Sequence, residues 1–202
     1  MIFTKLYISN QIKIAVFLLA FLIFFSSNDV NASNANYAKY LNKGKQYYML
    51  HMYNKAIDNL SKAITSSPNK FLAYYYRASS YFQLKQFNKA ITDYSKAVSI
   101  DANHHFSFFF RGLSNYRLKK YNQAVSDYSS ALKVQRTYWK AYYYRGLIYF
   151  KQGELKRAIN DYITGKKQAR GSREYKWFFN QRNATNINDE ARERYTNYIM
   201  YE

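Results

Sequence analysis

The stretch at residues 71–103, FLAYYYRASSYFQLKQFNKAITDYSKAVSIDAN, decides how the rest of the chain folds, because it recurs. With Ala78 as the reference, small residues stand 34 positions to either side: Gly44 before it, Gly112 and then Gly146 after it. Twelve positions past each lies an alanine: Ala56, Ala90, Ala124 and Ala158. Four further on come Leu60, Tyr94, Tyr128 and Tyr162, and three beyond those Ala63, Ala97, Ala131 and Gly165. A single period of this length marks an array of supersecondary units, none of which can bury its apolar face alone. Apolar residues within each copy are spaced near 3.6 rather than alternating, which predicts two helices per copy. In the quoted copy they run over about 73–84 and 88–100, joined by Lys85-Gln86-Phe87. Phe87, like its counterparts Tyr53, Tyr121 and Leu155, is expected to tuck under both helices.

The copies resemble the tetratricopeptide family, whose unit is a helix–turn–helix of this length. Four units fit without insertion, at 37–70, 71–104, 105–138 and 139–172. The family's proline at the repeat end survives only as Pro68, with Ala102, Arg136 and Arg170 in its place later. The resemblance implies an all-α fold, a right-handed helical-repeat solenoid of helix–turn–helix units.

The recurring small residues have a mechanical task, because helices approach within about 8–10 Å only where the crossing side chains are small. Gly44, Ala78, Gly112 and Gly146 are expected on the first helix of each pair at that crossing. Ala56, Ala90, Ala124 and Ala158 would answer from the second. Arg77, Arg111 and Arg145 stand just before the reference residue, with Asp93, Asp127 and Asp161 sixteen positions after each arginine. The first repeat breaks both positions, with Lys43 and Asn59. Charges that come and go together predict a paired structural element, since a half-buried charge needs its partner.

The ends are of different composition. Lys5 and Lys13 precede an apolar run at 14–25, followed by a polar stretch and Val30-Asn31-Ala32. This order reads as a signal peptide at 1–32, cut between Ala32 and Ser33. As a helix the run reaches roughly 18 Å, short of a hydrocarbon core of roughly 30 Å. The alternative is an uncleaved membrane anchor. The expected mature protein is exported (periplasmic or secreted) and begins with a polar lead-in at 33–36. After residue 172 the period is lost, and 173–202 is expected to form capping helices, with Trp177, Phe178 and Phe179 covering the last repeat.

Composition narrows the chemistry. There is no cysteine, which excludes thiol catalysis, disulfides and thiolate metal sites. His51, His104 and His105 are the only histidines, and the adjacent pair points in different directions on a helix. No Gly-rich phosphate loop, nucleophile elbow or metal-spaced acidic cluster is present, so neither an enzyme nor a cofactor is expected. The formal charge is +19, and between Lys140 and Arg182 eleven basic residues stand against Glu154, Asp161 and Glu174. Such a field favours an anionic polymer or membrane surface, or else simply solubilises the chain. Export makes nucleic acid a poor candidate partner.

In tetratricopeptide domains the first helices of successive repeats line a concave groove that holds peptides. Transferred to this chain, the resemblance places Leu41, Lys45 and Tyr48 of the first repeat on that groove, with Tyr75, Ser79 and Phe82 of the second. The third contributes Phe109, Tyr116 and Arg117, and the fourth Lys140, Tyr143, Phe150 and Lys151. The implied groove is aromatic with basic residues along one side, which suits an acidic, partly apolar peptide or protein partner. Equally, some of these aromatics could fill the space between helices. Family members that grip the C-terminal carboxylate of cytosolic chaperones do so with lysine, asparagine and arginine. The matching positions are Leu41, Lys45, Tyr76, Phe106 and Phe110, none with the family's residue. A shift of one repeat gives Tyr75, Ser79, Phe110, Lys140 and Tyr144, with only the lysine retained. That clamp is absent.

Overall fold

The structure, a computed structural model, describes residues 31–169. Among them are eight helices and no strand. α1 spans 31–49, α2 Tyr53–Ser66, α3 Phe71–Gln83, α4 Phe87–Ile100 and α5 His105–Arg117. α6 spans Tyr121–Val134, α7 Trp139–Lys151 and α8 Leu155–Ala169. The fold is an all-α helical repeat. The apolar segment at 14–25 and the expected cap at 173–202 lie outside the described residues. The expected polar lead-in at 33–36 is helical, the first turns of α1, and Ser33 Oγ donates to the Ser66 carbonyl at the end of α2.

Helix ends are made by backbone geometry. None of α2 to α8 has an acidic residue in its first turn. The residues preceding α2, α3, α4, α5 and α7 make no side-chain cap. The turn inside each repeat instead repeats one motif. His51, Lys85, Lys119 and Gly153 all have φ between 58° and 78°, the left-handed region. Behind each, a pair of amide-to-carbonyl bonds closes the helix: Lys85 N donates to Phe82 O and Gln86 N to Tyr81 O, both at 2.9 Å. These are the two bonds of a Schellman motif. The bonds recur at His51 and Met52, Lys119 and Lys120, and Gly153 and Glu154. Three of the four left-handed positions therefore hold a residue with a side chain, which costs about 1–2 kcal/mol against glycine.

Packing divides the chain into two units, Met1–Asp127 and Tyr128–Glu202. In the first, α2 packs on α3, α3 on α4 and α4 on α5, so neighbours in sequence are neighbours in space. One core cluster joins Leu41, Ala56, Leu60, Ala63 and Ala73; another joins Ala78, Ala90 and Tyr94. The expected helix crossings are where the spacing put them. A Cβ at Gly44 would stand 2.5 Å from Leu60 Cγ and 3.4 Å from the Ala56 carbonyl oxygen. In the second unit α7 packs on α8, and a Cβ at Gly146 would lie 3.4 Å from the Ala158 carbonyl oxygen. Gly165 answers from α8, 3.1 Å from Tyr142 Cβ by the same measure.

The arginine–aspartate pairs form in all three copies. Arg77 donates Nε to Asp93 Oδ2 at 2.7 Å and Nη2 to Oδ1 at 2.8 Å. Arg145 grips Asp161 in the same bidentate way, at 2.7 and 2.8 Å. Arg111 places both nitrogens on Asp127 Oδ1, while Asp127 Oδ2 accepts from Asn115 Nδ2 at 3.0 Å. Burial pushes the Asp127 carboxyl above the usual range, and Arg111 and Asn115 pull it only part of the way back. The third guanidinium nitrogen reaches backward: Arg77 Nη1 to Ser61 Oγ (3.0 Å), Arg111 Nη1 to Ser95 Oγ (3.2 Å) and Arg145 Nη1 to Ser129 Oγ (2.9 Å). Each arginine thus ties its own helix pair together and joins it to the second helix of the preceding repeat.

Candidate functional site

The first helices are the elements that carry the expected groove, so their exposed and half-buried side chains define what a partner could touch. In the first unit these come from α1, α3 and α5. Leu41, Ser79 and Phe109, all expected on the groove, are buried. Leu41 belongs to the core cluster with Leu60, and Ser79 Oγ lies 3.0 Å from the Tyr94 hydroxyl. Packing claims them, so they offer little contact area to a ligand. Lys45, Tyr48, Tyr75, Phe82 and Tyr116 are half-buried, and Arg117 is exposed.

The half-buried aromatics touch one another ring to ring. Tyr48 meets Tyr76 at 5.8 Å, Tyr76 meets Tyr75 at 5.2 Å, and Tyr75 meets Phe110 at 6.4 Å. Phe82 meets Phe110 at 6.1 Å and Phe87 at 5.5 Å. Tilted and edge-on contacts at these separations each contribute about 0.5–1.5 kcal/mol beyond area burial, so the aromatic row is also scaffold. Tyr75 is the extreme case. Burial pushes its phenol far above the ordinary range, with Tyr48 and Tyr76 adding to the shift and Ser79 opposing it. Tyr48 is raised less, by burial first, with Gln83 hydrogen-bonding against it. Lys45 Nζ stands over the Tyr76 ring, 5.5 Å from its centroid. Of the aromatics expected beneath the helix pairs, Tyr53, Phe87 and Tyr121 are half-buried, but Leu155 is 39% exposed.

In the second unit Lys140, Tyr143 and Phe150 are half-buried and Lys151 is exposed, all on α7. Lys140 Nζ lies over the Trp139 ring at 5.5 Å, and Arg145 is committed to Asp161. Among the basic residues expected to attract an anionic surface, Lys151, Lys156, Arg157, Lys166 and Lys167 are exposed; those from Arg170 to Arg182 lie outside the described residues. No cluster of metal-ligating side chains occurs among the described residues, nor any helix long and apolar enough to cross a membrane. His104 is held between the Phe71 and Tyr75 rings at 4.8 and 4.7 Å, with Nδ1 2.8 Å from Ser107 Oγ. Burial lowers its pKa, and His105 adds to this while Asp101 opposes it.

Comparison with known proteins follows the same lines. Residues 49–131 match the family described as anaphase-promoting complex, cyclosome, subunit 3, and residues 112–153 match the family described as TPR repeat. No curated protein matches the sequence. Among solved structures, that of MamA superposes with a TM-score of 0.65 at 22% identity, over 69% of this chain and 81% of the other. MamA from Desulfovibrio magneticus RS-1 gives 0.62 at 16% identity, over 68% and 77%. The first tetratricopeptide domain of Spaghetti (RPAP3), bound to the HSP90 peptide SRMEEVD, gives 0.58 at 26% identity, over 59% and 94%. With the repeat register, the helix pairs and these matches in agreement, the chain has the fold of tetratricopeptide-repeat proteins, and residues 112–153 match the repeat family itself.

Proposed function

We propose that the protein is an exported interaction module that holds a peptide segment of a partner against its first helices. The observation that carries this reading is the likeness, at 26% identity, to a tetratricopeptide domain solved with a peptide bound. The side chains this chain offers on the same elements support it. Tyr48, Phe82 and Tyr116 keep part of their rings in solvent, and Lys45 and Arg117 stand on the same helices. Aromatic rings supply rigid contact area, and the cations favour acidic residues in the ligand. The ligand differs from the chaperone tail of that relative, because Leu41, Tyr76, Phe106 and Phe110 stand where the carboxylate clamp needs polar and charged groups. An acidic peptide with internal apolar residues is the cargo that fits.

Fluorescence anisotropy with a panel of acidic, aromatic-containing peptides tests the reading. Tyr48→Ala, Phe82→Ala and Tyr116→Ala together should weaken capture by about a hundredfold or more, as for loss of aromatic hot spots. Helicity should remain. Unchanged affinity in that triple variant would reject the groove. A second reading, binding of an anionic polymer or membrane surface, is supported by the five exposed cations between Lys151 and Lys167. It requires affinity to fall steeply between low and moderate salt.

A further inference from the structure

The turn between α1 and α2 departs from its three counterparts. Met49, Leu50 and Met52 are 73, 59 and 40% exposed. The positions equivalent to Met49 hold Gln83, Arg117 and Lys151, and those equivalent to Met52 hold Gln86, Lys120 and Glu154. Every one of those polar residues is exposed or half-buried, and all four turns close with a left-handed residue at the same repeat position and the same pair of backbone bonds. The scaffold therefore accepts polar residues at these two positions, and the first repeat alone fills them with methionine. Packing does not explain the choice, since the methionines lie in solvent.

The surroundings indicate what covers them. α2, α3, α4 and α5 pack in sequence order, and in a stack of helix–turn–helix units the turns within successive repeats fall on one edge. Their segments, 49–55, 83–89 and 117–123, carry Lys55, Lys85, Lys89, Arg117, Lys119 and Lys120 and no acidic residue. All six cations are exposed. Of the four acids between residues 31 and 127, Asp93 and Asp127 are committed to arginines, Asp101 lies in the α4–α5 connection on the opposite edge, and only Asp58 is left on α2. An apolar tip flanked by a row of cations is the pattern of a surface that meets anionic lipid. The apolar side chains enter the acyl boundary while lysine and arginine remain among the headgroups. A protruding turn suits a lipid surface better than a peptide, which needs a concavity. A second copy is disfavoured by repulsion between two strongly basic chains.

We propose that the α1–α2 turn is a membrane-contacting tip, entering an anionic lipid surface through Met49, Leu50 and Met52 and held there by the cations of the neighbouring turns. Of the residues offered above to a peptide, only Arg117 also belongs to this row of cations. The tip stands roughly 27 Å from residue 31 at the helical rise per residue, so an apolar segment before α1 does not by itself bring the tip into lipid.

The absence of cysteine allows a clean test on the full chain. Leu50→Cys carrying an environment-sensitive fluorophore is mixed with phosphatidylcholine vesicles with and without phosphatidylglycerol as the anionic lipid. Lys70→Cys, on the opposite edge, carries the same label as a control. The expected result is a blue shift at position 50 with the anionic vesicles, none at position 70, and little with neutral vesicles. Lys85→Gln, Lys119→Gln and Lys120→Gln together should raise the lipid concentration for the half-maximal shift at least about tenfold. Met49→Gln with Met52→Gln, which installs the residues of the second repeat, should reduce the shift without altering the melting temperature. No shift at position 50, or an equal shift at position 70, overturns the proposal. So does an equal shift with soluble polyglutamate, which would assign the tip to an acidic protein partner.

Discussion

The first and second repeats build one helix pair by different means. In the second, Arg77 binds Asp93 bidentately and reaches back to Ser61, and Ser79 meets the Tyr94 hydroxyl under Ala78. In the first, Lys43 and Asn59 stand at the ionic positions and Leu60 replaces the tyrosine. Gly44 lets Leu60 seat directly against the helix backbone. A repeat with neighbours on both sides is joined to them by directed polar bonds, whereas among the described residues the first repeat has no earlier second helix for an arginine to reach. Its cohesion is a matter of shape. Internal units of an array depend on their interfaces for much of their stability, and here the guanidinium spans that interface.

The largest expected effect separates the two means. Asp93→Ala leaves the Arg77 guanidinium, 20% exposed in its side chain, without its counter-ion. That should cost about 3 kcal/mol in chemical denaturation, the lower end for a broken buried pair. Asn59→Ala, at the same position one repeat earlier, removes only a bond to the Lys55 carbonyl and should stay within about 0.5 kcal/mol. Equal losses at the two sites would erase the distinction. Replacing the pair together, Arg77→Met with Asp93→Leu, should recover most of the loss, because the charges then leave as a unit.

Shape dependence predicts the next effect. A Cβ at Gly44 would stand 2.5 and 2.8 Å from two carbons of Leu60, so Gly44→Ala should destabilise by about 1–3 kcal/mol despite the better helix propensity of alanine. Gly146→Ala is the contrast. There the nearest atom is Asp161 Cβ at 3.3 Å, and a gain of up to about 1 kcal/mol in propensity offsets the squeeze, leaving a change near zero. Thermal melts of the two variants side by side would show whether the first repeat is the tighter crossing.

Much of this was legible in residue types, and what escaped has physical reasons. The 34-residue register located the helices, their crossings and the Arg–Asp pairs, since each depends on one or two side chains whose types recur. Ser61, Ser95 and Ser129 recur at the same period and were readable in principle. Their signal is that serine appears one residue past Leu60, Tyr94 and Tyr128 wherever an arginine follows in the next repeat. At the fourth such position stands Ile163, and Phe179 stands where its arginine would be. The left-handed turn residues were hidden because only Gly153 among the four advertises that conformation. The groove was least legible. Whether Leu41, Ser79 or Phe109 faces a ligand or a neighbour depends on how far adjacent helices close over it, and residue type alone carries no such information.

Those turn residues give a smaller test. Gly153 has φ 78°, and a methyl group placed on its Cα would meet nothing within 4 Å, so Gly153→Ala introduces backbone strain and no collision. It should cost about 1 kcal/mol, and Lys85→Gly in the second repeat should gain a similar amount at most, since glycine also loses more entropy on folding. Opposite shifts in melting temperature would confirm that conformation, rather than contact, governs the turns. Shifts of one sign would point to contacts made by the Lys85 side chain.

The smallest effect concerns the connections between repeats. His104 closes the second repeat, where the first has Lys70 and the third Tyr138. Burial between Phe71 and Tyr75 holds the imidazole neutral, His105 reinforces this, and Asp101 opposes it. A histidine whose folded pKa lies below its unfolded value binds fewer protons when folded. Stability is then greatest above the unfolded pKa of about 6.5 and declines as pH falls below it, levelling off under the folded pKa. His105 is lowered by burial too and acts in the same direction. His104→Tyr, which copies the third repeat, should therefore flatten the dependence of unfolding free energy on pH between about 7 and 5 without abolishing it. An unchanged slope would move the pH sensitivity away from this connection, and a steeper one would mean that protonated His104 gains more from Asp101 than it loses to burial.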